Sequence, residues 1–221
     1  MRTQTTSSET VEMYLKTIAE LGDGRSPVII ARVAERLRVS PVSANEMMKR
    51  LVAQGFLVHE RYKGVVLTEN GRYIAHNIMR RQRLWECFLV DHLKFDWAGV
   101  YEMACRLEHA TSNVLAESLA VYLGHPTCCP HGNAIPQSDG SLSEITAQPL
   151  STLRVGAPGH IHSIQPTTTD VYAYLNRHQI LPRRPFTLVE IAPMQGPYTL
   201  QLETNQVALG RSLAELIWVS G

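Results

Sequence analysis

Ser40-Pro-Val-Ser-Ala-Asn-Glu-Met-Met-Lys-Arg-Leu-Val-Ala-Gln-Gly55, followed at once by Phe56-Leu-Val-His-Glu-Arg-Tyr-Lys-Gly-Val-Val-Leu-Thr68, decides the fold. Ser40 is a good N-cap, and Pro41 suits the first helical position because its missing N–H has no intrahelical partner there. Ala44, Met48 and Leu51 recur at helical spacing, and Gly55 stops the run. Upstream, Pro27 to Leu37 reads as another helix with Ile30, Val33, Ala34 and Leu37 inward. Two short helices joined by a tight turn make a helix-turn-helix. Phe56–Arg61 and Gly64–Thr68 then read as two strands around Tyr62-Lys63-Gly64, a β-hairpin wing.

Working outward, Ser8 caps a helix that ends at Gly22, with Val11, Leu15, Ile18 and Leu21 on its apolar stripe and Met13 and Tyr14 off its centre. Thr68 caps a long helix through Ile74, Ile78 and Leu84 to about Leu93. A further helix spans roughly Trp97 to Leu123. His125 to Pro136 is a Pro/Gly-rich break, and a polar linker follows to about Gln148. From Leu150 short β-rich runs (160–164, 186–191, 198–203, 217–219) surround one helical piece near 169–177, a small barrel-like β domain.

The chain has 221 residues, enough for one large or two to three small domains, and is 44% hydrophobic and 19% charged, which argues against disorder. No run of 18 apolar residues exists, so no membrane partner is expected, and the polar Met1–Glu12 stretch has no secretory h-region. Four cysteines make no disulfide framework, which points to a reducing cytoplasm. The net charge of +1 is unevenly spread: residues 25–85 hold twelve Lys/Arg against four Asp/Glu, residues 125–221 five against six. The first region has the balance of a phosphate-binding surface.

Cys105, Glu108 and His109 stand at i, i+3 and i+4, so one helix would carry thiolate, carboxylate and imidazole on one face. Met13, on a different helix, adds a thioether. Such a set suits a borderline-soft divalent transition metal better than Mg²⁺ or Ca²⁺. Spacing alone also fits an interface helix with a buried cysteine. Cys128-Cys129-Pro-His131 reads as loop, since adjacent cysteines bridge with difficulty and no second CxxC exists for zinc. Arg80-Arg81-Gln-Arg83 reads as a solvated or interhelical charged face.

Thr10–Ile18, Ser40–Met47, Leu67–Gly71, Ala104–His109 and Cys129–Pro136 together resemble the diphtheria-toxin-repressor family of metal-dependent regulators. The match covers residues 8–136 in order, and residues 150–221 resemble the SH3-like (FeoA-type) domain of longer members. The resemblance implies an α+β multidomain chain. Its parts are a winged-helix DNA-binding domain (1–73), an all-α metal-binding and dimerisation domain (74–136), a linker (137–149) and an SH3-like β-barrel (150–221).

It implies two metal sites. The primary site of the iron branch matches Met13, Cys105, Glu108 and His109; manganese regulators tend to carry carboxylates at the first two positions, so Fe(II) is the expected cofactor, with Mn(II), Zn(II) or Co(II) as alternatives. The ancillary site is altered. Its His-x-x-x-Glu pair falls on Gln82 and Glu86, a second histidine on Tyr101, and the SH3-like ligands fall nearest Thr167 and Asp170. That site is lost, weakened, or rebuilt around Glu86 and Asp170.

The resemblance implies a homodimer on palindromic double-stranded operator DNA, with room for two dimers per operator. Ser40, Pro41, Ser43, Asn45 and Glu46 face base edges, Asn45 suiting adenine, Glu46 a cytosine amine and Pro41 a thymine methyl. Lys49, Arg50, Arg61 and Lys63 hold phosphates. No general base pair or nucleophile stands near the metal ligands, so a transcriptional regulator is expected rather than an enzyme. A metalloenzyme and a non-DNA interaction module are the readings from other classes.

Overall fold

The computed structural model describes residues 8–22, 26–143 and 146–221. The start of the polar N-terminal stretch and part of the expected linker lie outside them. Helix α1 (Glu9–Leu21) begins where the Ser8 hydroxyl accepts the Val11 amide. Tyr14, set off the stripe in the sequence reading, is buried with Val11, Leu15 and Ile18. Helix α2 is shorter than expected (Ile30–Leu37) because Val28 instead bridges to Val65 of the wing. Helix α3 (Pro41–Ala53) starts on Ser40, which accepts the Ser43 amide at 3.0 Å, and buries Ala44, Met48 and Leu51.

Strands β1 (Leu57–Glu60) and β2 (Gly64–Leu67) pair antiparallel as the wing. Gly64 is required there: its φ is +130°, and a Cβ would stand 2.1 Å from the Val28 carbonyl oxygen. Helices α1–α3 and the wing share one apolar core that reaches Ala75 of helix α4 (Glu69–Asp91).

The expected single helix over 97–123 is two. Helix α5 (Val100–Glu108) ends at His109, and helix α6 (Asn113–Tyr122) restarts on Ser112, whose hydroxyl accepts the Leu115 amide. Thr111 holds the break, donating to the Leu107 carbonyl and accepting from the Trp85 indole, both at 2.7 Å. Short polar side chains compete with the backbone in this way and end helices. The basic run on α4 is interhelical: Arg80 reaches the Pro136 carbonyl and Glu117, Arg81 reaches Asn113, and Arg83 reaches the Ala134 carbonyl.

The C-terminal domain is a six-stranded sheet in the order β3-β8-β4-β5-β6-β7, with strands β3 (Gln148–Pro149), β4 (Pro158–Ile164), β5 (Pro185–Ile191), β6 (Tyr198–Gln201), β7 (Gln206–Leu209) and β8 (Ile217–Ser220). Helix α7 (Thr169–Arg177) covers its core with Tyr172 and Leu175. Strand β7 and helix α8 (Arg211–Leu216) carry too weak a pattern to have been expected. Both are short, and only the neighbouring sheet gives them a buried face.

Candidate metal centres and nucleic-acid surface

Two clusters of acid, sulfur and imidazole lie beside α4 and α5. The first joins α1 to α5. Cys105 and Glu108 face α1, and the Glu108 carboxylate is buried. The group that meets it is Lys16, which the sequence reading did not include. Its Nζ lies 2.7 and 2.9 Å from the two Glu108 oxygens and 3.5 Å from Cys105 Sγ. Burial acts against the Lys16 ammonium, but the Glu20 and Glu108 carboxylates hold its pKa above the ordinary lysine value. Burial pushes the Cys105 thiol up to about 12, against the opposing pull of Lys16.

His109 Nδ1 lies 3.1 Å from Glu12 Oε2 and its Nε2 3.5 Å from Glu108 Oε1, so Glu12 is a second residue the sequence reading missed. Met13 is 41% exposed on the same stretch of α1. Glu12, Met13 and Lys16 fall at i, i+1 and i+4, and a helical projection from Met13 would have brought in both neighbours. Thioether, thiol, carboxylate and imidazole are donor types that suit a borderline-soft divalent cation once the ammonium leaves the carboxylate.

The second cluster brings Cys129 and His131 into play from the loop expected of them. Both are buried against Glu86, and one ligand atom from each of the three lies within 4.8 Å of the others. Cys105, Glu108 and His109 are spread more widely. His131 Nε2 lies 3.1 Å from the Trp97 carbonyl, which can only accept, so Nε2 carries a proton. The other nitrogen, Nδ1, then faces Glu86 Oε2 at 3.2 Å. An imidazole lone pair and a carboxylate oxygen need a cation between them, either a proton or a metal. A histidine ligand that donates its other N–H to a carbonyl is the usual metal-site arrangement.

Burial raises the Glu86 carboxyl, yet His131 brings it net below its ordinary value, whereas burial drives the Cys129 thiol well above its own. Gln82 donates to Glu86 Oε1 at 2.8 Å, and among the described residues its own Oε1 is buried with no hydrogen-bond partner. That orphaned oxygen makes Gln82 a candidate fourth donor. The Tyr101 ring lies near Lys16, 5.7 Å away, and burial keeps its phenol protonated. Asp170 is exposed in the first turn of α7 and is not part of the cluster.

The SH3-like domain nonetheless closes over this cluster. The Tyr172 ring stacks on His131 at 4.1 Å, Ile164 N–H donates to the His131 carbonyl, and the Asn133 amide donates to the Ile164 carbonyl. Gly132 (φ +82°) passes so close that a Cβ would stand 2.1 Å from the His162 oxygen. The legible signal was Cys-x-His beside a glycine; the absence of a second cysteine pair concealed it.

The nine residues expected to meet DNA are all exposed at the start of α3, along it, and at the wing tip. Asn45 donates one amide N–H to the Pro41 carbonyl at 2.8 Å, which leaves its second N–H and its Oδ1 for a partner. Lys63 is held 3.3 Å from Glu60. Two further exposed residues share this surface: Val42, 68% exposed in the first turn of α3, and Tyr62, 89% exposed beside Arg61 at the wing tip.

Comparison with known proteins agrees with this layout. Residues 6–65 match the iron dependent repressor N-terminal DNA binding domain, 68–137 the iron dependent repressor metal binding and dimerisation domain, and 148–221 the FeoA domain. The diphtheria toxin repressor of Corynebacterium diphtheriae is 35% identical over 219 residues, 95% of this chain and 96% of that protein. The iron-dependent repressor IdeR of Mycobacterium tuberculosis is 38% identical over 128 residues, 58% of this chain and 56% of that relative, so this match spans about half of its length. A solved manganese-dependent transcriptional repressor in complex with manganese superposes with a TM-score of 0.86 at 31% identity, covering 95% of this chain and 98% of that one. The chain belongs to the diphtheria toxin repressor family of metal-dependent, DNA-binding transcriptional repressors, which are not enzymes.

Proposed function

We propose that this chain is a homodimeric repressor that binds palindromic operator DNA when Fe(II) is available, and works in the cytoplasm where its DNA lies. The observation that carries this reading is the junction of α1 with α5, where a cation already bridges Glu108 and Cys105. Met13, Cys105, Glu108 and His109 would hold the first metal, and Glu86, Cys129, His131 and Gln82 the second. A bound divalent ion would supply the charge and coordination that fasten α1 to α5.

Helix α1 also packs in the core of α2, α3 and the wing. A fixed α1 therefore fixes the reading head relative to the dimerisation helices. Two recognition helices must sit roughly 34 Å apart on one face of the duplex, so a loose α1 lowers the competent fraction and the apparent affinity. Val42 and Pro41 suit thymine methyls and Glu46 a cytosine amine, while Lys49, Arg50, Arg61 and Lys63 suit phosphates.

Exposed Val114, Leu115, Val121 and Tyr122 on α6 give an apolar surface that suits the homodimer. The working units are residues 1–73, 74–136 and 150–221, joined by 137–149. Among the described residues no helix is long and apolar enough to cross a membrane.

Iron is preferred over manganese because thioether and thiolate are softer than the carboxylates that manganese favours. Relatives named for each metal occur, so donor softness rather than kinship supports iron. Anaerobic titration with Fe(II), Mn(II) and Zn(II), scored by operator binding, tests the reading. Activation is expected at the lowest free concentration for Fe(II). Operator affinity unchanged after exhaustive chelation would overturn the sensor reading, and preferential activation by Mn(II) would overturn the iron assignment.

A further inference from the structure

Lys16 is buried with its ammonium against both oxygens of Glu108, at 2.7 and 2.9 Å, and close to Cys105 Sγ at 3.5 Å. Two of the donors assigned above to the first metal are therefore held by a cation of the chain itself. An ammonium and a divalent ion cannot share one buried carboxylate without strong repulsion at this range. One helical turn further along α1 lies Glu20. Among the described residues its Oε1 is buried with no hydrogen-bond partner, while its Oε2 lies 3.9 Å from Arg36 on α2. A buried carboxylate oxygen without a donor is costly, and residues four apart on a helix are neighbours. The flexible four-carbon stem of lysine lets its head reach either carboxylate from one backbone position.

We infer that Lys16 is the resident cation of the first centre, displaced from Glu108 when a metal enters and received by the vacant oxygen of Glu20. The inference rests on the reading of Met13, Cys105, Glu108 and His109 as a metal site. Lys16 thereby sets the metal threshold, since the ion must compete with a tethered charge. The exchange also carries occupancy of the α5 donors along α1 to the Arg36 contact, at the first helix of the helix-turn-helix.

The test uses the full-length dimer carrying Cys129→Ser, so that Cys105 is the reporting thiolate. Co(II) is titrated anaerobically against a competing chelator and read from the thiolate charge-transfer band. Lys16→Met is expected to tighten Co(II) by about tenfold, and Glu20→Gln to weaken it by about tenfold, the scale of coupling between contacting charges. In the Lys16→Met background, Glu20→Gln should have no effect. Unchanged or weaker binding in Lys16→Met, or the same Glu20→Gln effect in both backgrounds, overturns the inference and leaves the metal site standing. No Cys105-dependent band in the Lys16-containing protein overturns both. Should Lys16→Met fail to fold, a crystal structure of the Co(II)-loaded natural chain decides: Lys16 beside Glu20 supports the exchange, and Lys16 still on Glu108 overturns it.

Discussion

The two clusters use the same chemistry in opposite states of readiness. At the α1–α5 junction a lysine fills the space between acid and sulfur, histidine is turned toward Glu12, and Met13 is 41% exposed. Around Glu86 the acid, thiol and imidazole already converge within 4.8 Å, and Gln82 offers an unpartnered oxygen. The first spans two helices from different cores, so gathering its ligands would change its shape. The second is clamped by the SH3-like domain, so its ligands are placed before any ion arrives. A centre that must be assembled can switch a structure, whereas a preassembled one stabilises it.

The largest expected effect separates these roles. Cys105→Ala or His109→Ala should abolish metal-activated operator binding, a loss on the order of 100-fold in affinity, while dimerisation persists. Operator binding by anisotropy, alongside the dimer mass by light scattering, measures both. Equal operator affinity with and without Fe(II) in Cys105→Ala, at the level of the unaltered protein, would remove the switch from this centre.

Next in size, Cys129→Ala or His131→Ala should remove the second metal, taking the calorimetric stoichiometry from two per subunit to one. Their effect on operator affinity should be smaller, about tenfold or less, because a lost stabilising site costs only part of the competent population. If these variants instead abolished DNA binding, the division between the two centres would be reversed.

Gly132→Ala probes the clamp. A Cβ 2.1 Å from the His162 oxygen, on a backbone with φ of +82°, must push the loop away from β4. The expected cost is about 2 kcal/mol in thermal unfolding, with weaker binding at the second centre alone. Unaltered second-site affinity would show that the SH3-like domain does not position His131.

Smaller effects are expected at the DNA surface. Lys63→Ala should weaken binding to all sequences and reduce the salt slope by about one. Val42→Ala should cost about 1 kcal/mol, and only at sites carrying the thymine it faces. If Lys63→Ala changed sequence preference and left the salt slope alone, the wing would have a different role.

Much of this molecule can be read from local pattern. Ser8, Ser40 and Thr68 all cap the helices expected of them, and Gly55 and Gly64 punctuate where expected. These features depend on neighbours within a few residues. The single helix drawn through 97–123 is two because Thr111 bonds back to the Leu107 carbonyl, Ser112 caps a new helix and the Trp85 indole holds Thr111 there. The first centre was half legible: Cys105, Glu108 and His109 share a helix, but Lys16 and Glu12 reach them across a helix–helix contact.

The amino-acid order by itself determined the caps, the wing, the α5 donor triplet and the kinship with metal-dependent repressors, since each is written in residues close together along the chain. Tertiary structure alone decided which cation sits at Glu108, and that the loop carrying Cys129 and His131 folds onto Glu86. Both outcomes arise between segments 40 or more positions apart, where packing of α1 on α5 and of the SH3-like domain on the loop sets the distances. Electrostatics between buried groups depends on those distances, and no spacing along the chain encodes them.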